Sequence, residues 1–168
     1  MNALKILDRG HQNLLDALKD LPEESWTEGF VTGSWTVRDV VNHLGIYEVL
    51  QAEAFRKFLD PNIETPLLDE KAEGTFLEFN SKQEGKNKGV GWQEVKENYL
   101  EGFAELRKIV AGLTAEVLDK PNTTRWYGDN CALNDITALN FGHKKHHIAQ
   151  VKLFRQNKNE DAPRKTGS

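Results

Sequence analysis

This sequence predicts an all-α fold, and three observations carry the prediction. Apolar residues recur at three- and four-residue steps in four long segments, strand-like alternation is not the dominant pattern, and helix start and stop signals bound the segments. No internal repeat or low-complexity block divides the chain. Its 168 residues fit one domain, expected over residues 1–156, followed by a polar tail at 157–168 expected to be disordered. A domain of this length is stable without disulfides or a structural metal, so a metal bound here would be functional.

In the first segment Leu4, Leu7, His11, Leu14, Leu15 and Leu18 share one helical face, and Leu21-Pro22 closes it because proline disfavours helix at the residue before it. A loop containing Trp26 and Gly33 follows. Thr36-Val37-Arg38-Asp39 then reads as a capping box in variant form and starts a second helix running to about Leu59. Val37, Val40, Val41, Leu44, Tyr47 and Phe55 form its apolar stripe. His43 lies within that stripe and is expected to face the core.

Asp60-Pro61 ends the second helix. About 30 residues follow with Pro66, Gly74, Gly85, Gly89 and Gly91, too irregular for one long helix, although Phe76 to Gln83 suits a short one. A connection this long is usually functional or mobile and is expected to cover one end of the fold. The third helix, about Gln93 to Val110, turns Val95, Tyr99, Leu100, Phe103, Leu106, Ile109 and Val110 inward. Leu113 to Glu116 suggests a further short turn. The fourth helix starts near Leu133 or Asn134, with Asn134 or Asp135 capping it, and continues to about Arg155. Ile136, Leu139, Asn140, His143, His147, Gln150, Val151 and Phe154 are its expected inward residues. Four helices of about 18 to 25 residues would each span about 27 to 37 Å, matched for packing as a four-helix bundle.

Composition narrows the function classes. With 22 basic and 26 acidic residues interspersed and a net charge of −4, there is no basic patch for nucleic acid. No apolar run approaches the roughly 20 residues of a membrane span. The first residues are too polar for a signal peptide, and the lone Cys131 allows no intramolecular disulfide. A cytoplasmic protein is the expectation.

The run His143-Lys144-Lys145-His146-His147 concentrates the chemistry. Four residues along a helix, His143 and His147 stand one above the other as a pair of metal ligands, and His43 could complete a three-nitrogen site from the second helix. Three protein ligands leave one coordination position open. His146 competes for the second role: it lies about 60° from His143 on one side and His147 about 40° on the other. His147 is preferred because Val151 and Phe154 extend its side, while His146 sits toward the charged edge with Lys145. Any one histidine on an apolar face is more often a satisfied core residue, and it is the convergence of three that points to a metal. His11 reads as a packing histidine at the core margin.

Other chemistries fail on residue type. The glutamate of a His-Glu-x-x-His protease is missing between His143 and His147. A di-iron bundle needs Glu three residues before each histidine, but Asn140 and Val40 stand there. No nucleophile elbow, phosphate loop or dinucleotide fingerprint occurs. Cys131 reads better as a small apolar filler than as a nucleophile.

Two pieces of the chain, Gly33-Ser34-Trp35-Thr36-Val37-Arg38-Asp39-Val40-Val41-Asn42-His43 and His143-Lys144-Lys145-His146-His147-Ile148-Ala149-Gln150, resemble the DinB/YfiT-like family of metal-dependent four-helix-bundle proteins. The likeness covers most of residues 1 to 156. It implies an up-down-down-up bundle and a divalent metal, commonly nickel or zinc, held by His43, His143 and His147; three imidazoles by themselves suit zinc, nickel, iron and copper alike. Some relatives transfer low-molecular-weight thiols, others isomerise or hydrolyse small molecules, and a homodimer is plausible by the same resemblance.

The expected function is thus transfer of a small thiol to an electrophilic small molecule. Metal-assisted hydrolysis and non-catalytic metal or ligand binding are the alternatives. Gln150, Asn42, Tyr47 and Glu48 are candidate supporting or substrate contacts, and Trp126 and Tyr127 could line the mouth but suit packing against the bundle end better.

Overall fold

The computed structural model describes residues 2–124 and 128–161, and all the regular structure among them is helical. The order is α1 (Ala3–Leu18), α2 (Glu23–Thr27), α3 (Val37–Leu59), α4 (Pro66–Ala72), α5 (Phe76–Asn87), α6 (Trp92–Ala111), α7 (Ala115–Asp119) and α8 (Leu133–Asp161). Residues 162–168 and 125–127, and with them Trp126 and Tyr127, lie outside the described residues.

Local chemistry sets the boundaries. The Asn2 side chain accepts from the Lys5 amide at the start of α1. Thr36 and Asp39 form the expected capping box, with the Thr36 amide donating to Asp39 Oδ2 at 3.0 Å and the Asp39 amide to Thr36 Oγ1 at 3.3 Å. Asp60 is the C-cap of α3. Thr75 and Glu78 repeat the capping-box device at α5. Ahead of α8 the Ala132 amide donates to Asp135 Oδ2 at 2.6 Å, so Asp135 supplies the cap, while Asn134 turns to Asp119.

Some expectations need correcting. The first helix ends at Leu18, and the segment expected to be a loop around Trp26 forms α2, which buries that indole against Trp92 at 5.0 Å between ring centres. The long connection contains two helices, since Pro66 sits in the first turn of α4, where its missing N–H costs nothing, and the capping box outweighs Gly85 inside α5. The last helix continues to Asp161. Leu139, expected inward, is 49 % exposed. The buried face of α8 centres on Leu133, Lys144 and Val151, and at 100° per residue Leu139 falls about 120° or more from that line.

The four long helices pack in a ring, α3 beside α6 and α8, α1 beside α8 and α6. Glycines set the closest seam: a Cβ on Gly45 would stand 3.2 Å from the Tyr99 Cα, and one on Gly102 3.2 Å from Glu48 Cβ and Val49 Cγ2. Leu7, Leu14, Val40, Leu44, Phe55, Leu106, Leu133, Ile136 and Val151 fill the core. Between α3 and α8 runs a band of polar contacts: His43 meets His143, Glu48 meets Lys144 and Asn140, and Gln51 meets Asn140.

A three-histidine candidate metal centre

The Thr36 cap starts α3 two turns before His43 and so fixes where that imidazole leaves the helix. Ahead of it the chain makes a tight turn: Val31 N–H donates to Trp35 C=O at 2.7 Å, Trp35 N–H to Thr32 C=O at 2.9 Å, and Gly33 takes φ of 53°, where glycine is unstrained. The turn lays the Trp35 ring 4.9 Å from His43 and 6.4 Å from His147. Tyr47, one turn after His43, covers the other side, 4.7 Å from His43 and 4.8 Å from His143, and its hydroxyl donates to Asn80 Oδ1 of α5 at 2.8 Å.

Between these rings the three imidazoles turn their Nε2 atoms toward each other. His43 Nε2 lies 2.8 Å from His143 Nε2, and His147 Nε2 lies 3.2 Å from it. A tetrahedral ion with metal to nitrogen distances of about 2.0 to 2.1 Å needs ligand nitrogens about 3.3 Å apart; the His143 to His147 spacing is close to this, the His43 to His143 spacing is shorter, and all the ligand atoms lie within 4.8 Å of one another. Among the described residues, His43, His143 and His147 form the one group of three or more potential ligand side chains with this geometry. His43 and His147 are buried and His143 is half-buried, whereas His146 is exposed. Of the two histidines weighed beside His143, His147 is the one whose ring lies in the cluster.

The electrostatics suit metal binding. Burial, and then the neighbouring imidazoles, lower His43 to about 3 and His143 to about 4; burial lowers His147, against a hydrogen bond to Gln150 that raises it. All three are thus neutral near pH 7, with lone pairs available. The tautomer of His147 follows from its partner: Gln150 Oε1 only accepts, so Nδ1 at 2.8 Å carries the proton and Nε2 the lone pair.

A cleft of about 360 Å³ opens beside His147, lined by Thr32, Gly33, Ser34, Trp35, His146 and Gln150. A second cleft of about 430 Å³ lies on another face of α3, under α4 and α5, with Asn42, Ile46 and Gln83 in its wall. The same three residues border a small void against His43. Cys131 precedes α8 by two residues, and Leu133 stands about 15 Å along the helix axis from His143, so the thiol is not part of the centre.

Lys144 is the residue the sequence reading missed. It is 1 % exposed, and its Nζ lies 2.5 Å from Oε1 of Glu48, also 1 % exposed. Asn140 Nδ2 donates to both Glu48 oxygens, at 3.1 and 3.2 Å, and to Gln51 Oε1 at 2.6 Å. Burial pushes the Glu48 carboxyl up and the Lys144 ammonium down, and each charge opposes the shift of the other. Glu48 is therefore committed to the interior and does not serve as a substrate contact. Its signal was present in the pattern, since Lys144 falls on the line of Leu133 and Val151. His11 takes its expected place at the core margin, stacked 3.9 Å from Phe103 with Nδ1 2.9 Å from the Tyr99 hydroxyl.

An all-helical protein with three neutral imidazoles converging between two helices is the class that fold and site define. The family model of the DinB superfamily matches residues 6–151, and the chain belongs to that superfamily. No match to a curated protein was found, and none to a solved structure.

Proposed function

We propose that the chain is a metal-dependent enzyme that binds a divalent cation, nickel or zinc, through Nε2 of His43, His143 and His147 and transfers a low-molecular-weight thiol to an electrophilic small molecule. The observation that carries this reading is the convergence of three neutral Nε2 atoms beside an open cleft. A divalent cation held there would lower the pKa of a thiol or water in its free coordination position.

The chain's own residues supply the rest. Gln150 holds the His147 proton on Nδ1, and the Trp35 and Tyr47 rings exclude water from two sides. The turn at 32–35, with His146 and Gln150, frames the cleft through which substrate would reach the centre. In the transfer the thiol sulfur bonds to the electrophilic carbon, the S–H proton passes to solvent, and the displaced group leaves with its bonding pair. Near the centre, Asp39 is engaged by Thr36 and Arg38, and Glu48 by Lys144.

The same reading includes an up-down-down-up order of α1, α3, α6 and α8. It is supported by contacts that ascend together along α3 and α6 (Gly45 with Tyr99, Arg56 with Glu105) and along α1 and α8 (Gly10 with Phe141, Ala17 with Arg155), but in opposite senses along α3 and α8. It also includes a cytoplasmic homodimer. Exposed Leu139, Gly142, His146, Ala149 and Leu153 recur along α8 at three- and four-residue steps, the spacing of a helix-pairing seam. No helix of the described residues is long and apolar enough to cross a membrane.

The test is elemental analysis of protein purified without a histidine tag, followed by assay against electrophiles with and without small thiols. About one metal per chain, its loss in His143→Ala with helicity intact, and turnover only with thiol are the expected results. A chain that takes up no metal would overturn the reading, and turnover without thiol would shift it to hydrolysis.

A further inference from the structure

Resting on the three-histidine reading, we propose that Glu48 and Lys144 are positioning residues of the metal centre: their buried ion pair sets the register of α8 against α3 and so brings His143 and His147 to His43. Lys144 sits in sequence between the two α8 histidines, and Glu48 follows His43 by five residues on α3. The 2.5 Å contact therefore joins the same two helix segments that carry the ligands.

Lys144 reaches every long helix. It leaves α8, pairs with Glu48 of α3, and places Nζ 4.7 Å from the Phe103 ring and 5.4 Å from the Tyr99 ring of α6. On α1 its stem lies over Gly10, where an added Cβ would stand 3.6 Å from Lys144 Cδ. The absence of a side chain at Gly10 makes room for it. Asn140 and Gln51 continue the polar band one turn further along.

An apolar seam would tolerate sliding, because dispersion and area burial are nearly indifferent to which methyl meets which. A hydrogen-bonded ion pair is directional, and register selection is the best attested use of buried polar groups. Here the directional contacts from α3 to α8 come from His43, Glu48 and Gln51, so the register they select rests on few bonds. A slip of one helical turn, about 5.4 Å, would leave His43 facing at most one of its two partners. Since the ion pair forms without any ligand, it would hold the three nitrogens together before an ion arrives.

The test replaces both charges with apolar residues, Glu48→Leu with Lys144→Met, and compares Co(II) affinity and the visible absorption of the bound Co(II) with the unsubstituted chain. The pair's removal is expected to leave helicity and Tm unchanged or raised. Co(II) affinity is expected to fall about 10- to 100-fold, with an altered ligand-field spectrum. Removing the exposed pair Asp8 and Arg107, which joins α1 to α6, is the control and should change neither.

Unchanged affinity and spectrum in the double variant would overturn the proposal. If the double variant does not fold, Glu48→Gln takes its place: weaker affinity with a shifted spectrum is expected, and values equal to the unsubstituted chain overturn the proposal. Failure of the unsubstituted chain to bind Co(II) would instead bring down the three-histidine reading, and this inference with it.

Discussion

Gln150 Oε1 accepts the Nδ1 proton of His147 at 2.8 Å, while its Nε2 lies 3.4 Å from His146 Nε2. One amide thus fixes which nitrogen of His147 faces the centre. Gln150→Leu frees the ring to rotate and to change tautomer. Metal affinity is expected to fall about 10- to 100-fold with the fold intact. Competition against a chromophoric chelator measures this, and an unchanged constant would remove Gln150 from the centre.

Acid should destabilise the metal-free chain through its buried imidazoles. Burial, and then the Lys144 charge, lower His11 to about 4 from its ordinary 6.5, opposed by Asp8. His43 and His143 are shifted in the same direction. Between pH 6.5 and about 4 the unfolded chain holds more protons than the folded one, so this stability is complete above 6.5 and lost as pH falls toward 4. Tm should drop between about pH 7.5 and about pH 5. His11→Gln, whose amide can still bond the Tyr99 hydroxyl, should show a shallower drop; an identical pH profile would rule His11 out as a contributor.

Two helical glycines should respond in opposite ways to alanine. At Gly45 the added methyl meets the Tyr99 backbone at 3.2 Å, and backbone cannot yield without parting α3 from α6. Overpacking should outweigh the helix-propensity gain and cost about 1–2 kcal/mol in urea unfolding. At Gly85, inside α5, nothing lies within 4 Å, so Gly85→Ala should gain up to about 1 kcal/mol. If both variants shifted the midpoint equally, the close α3 to α6 approach would be wrong.

Loss of the α3 cap should be felt in stability. Thr36→Ala removes the acceptor for the Asp39 amide and the hydroxyl that donates to Asp39 Oδ2. A cost of about 1 kcal/mol is expected. Thr36→Ser should recover most of it, and equal stability of the Ala and Ser variants would argue against the cap.

The three clustered histidines were legible in the sequence because each rests on a local rule. The capping box dates the start of α3 and hence the direction of His43, and the i, i+4 spacing pairs His143 with His147. Leu139 was misassigned and Lys144 passed over for one shared reason. Hydrophobicity was used to draw the inner face of α8, but that face carries an ammonium whose partner, Glu48, is 96 residues away in sequence. Such a pairing is visible only once the helices are assembled. The small helices α2 and α4 were likewise hidden, since helices of five and seven residues carry too few apolar positions to show a period.

The polar seam between α3 and α8 divides the molecule like the spine of a book. One leaf is α3 with α6, joined through Gly45 and Gly102; the other is α1 with α8, joined at Gly10 and Phe141. His43 belongs to the first leaf, and His143 and His147 to the second. A ligand gripping all three would clasp the leaves together, so its binding energy would add directly to the work of opening them. In that sense occupancy of the centre and cohesion of the fold are a single quantity.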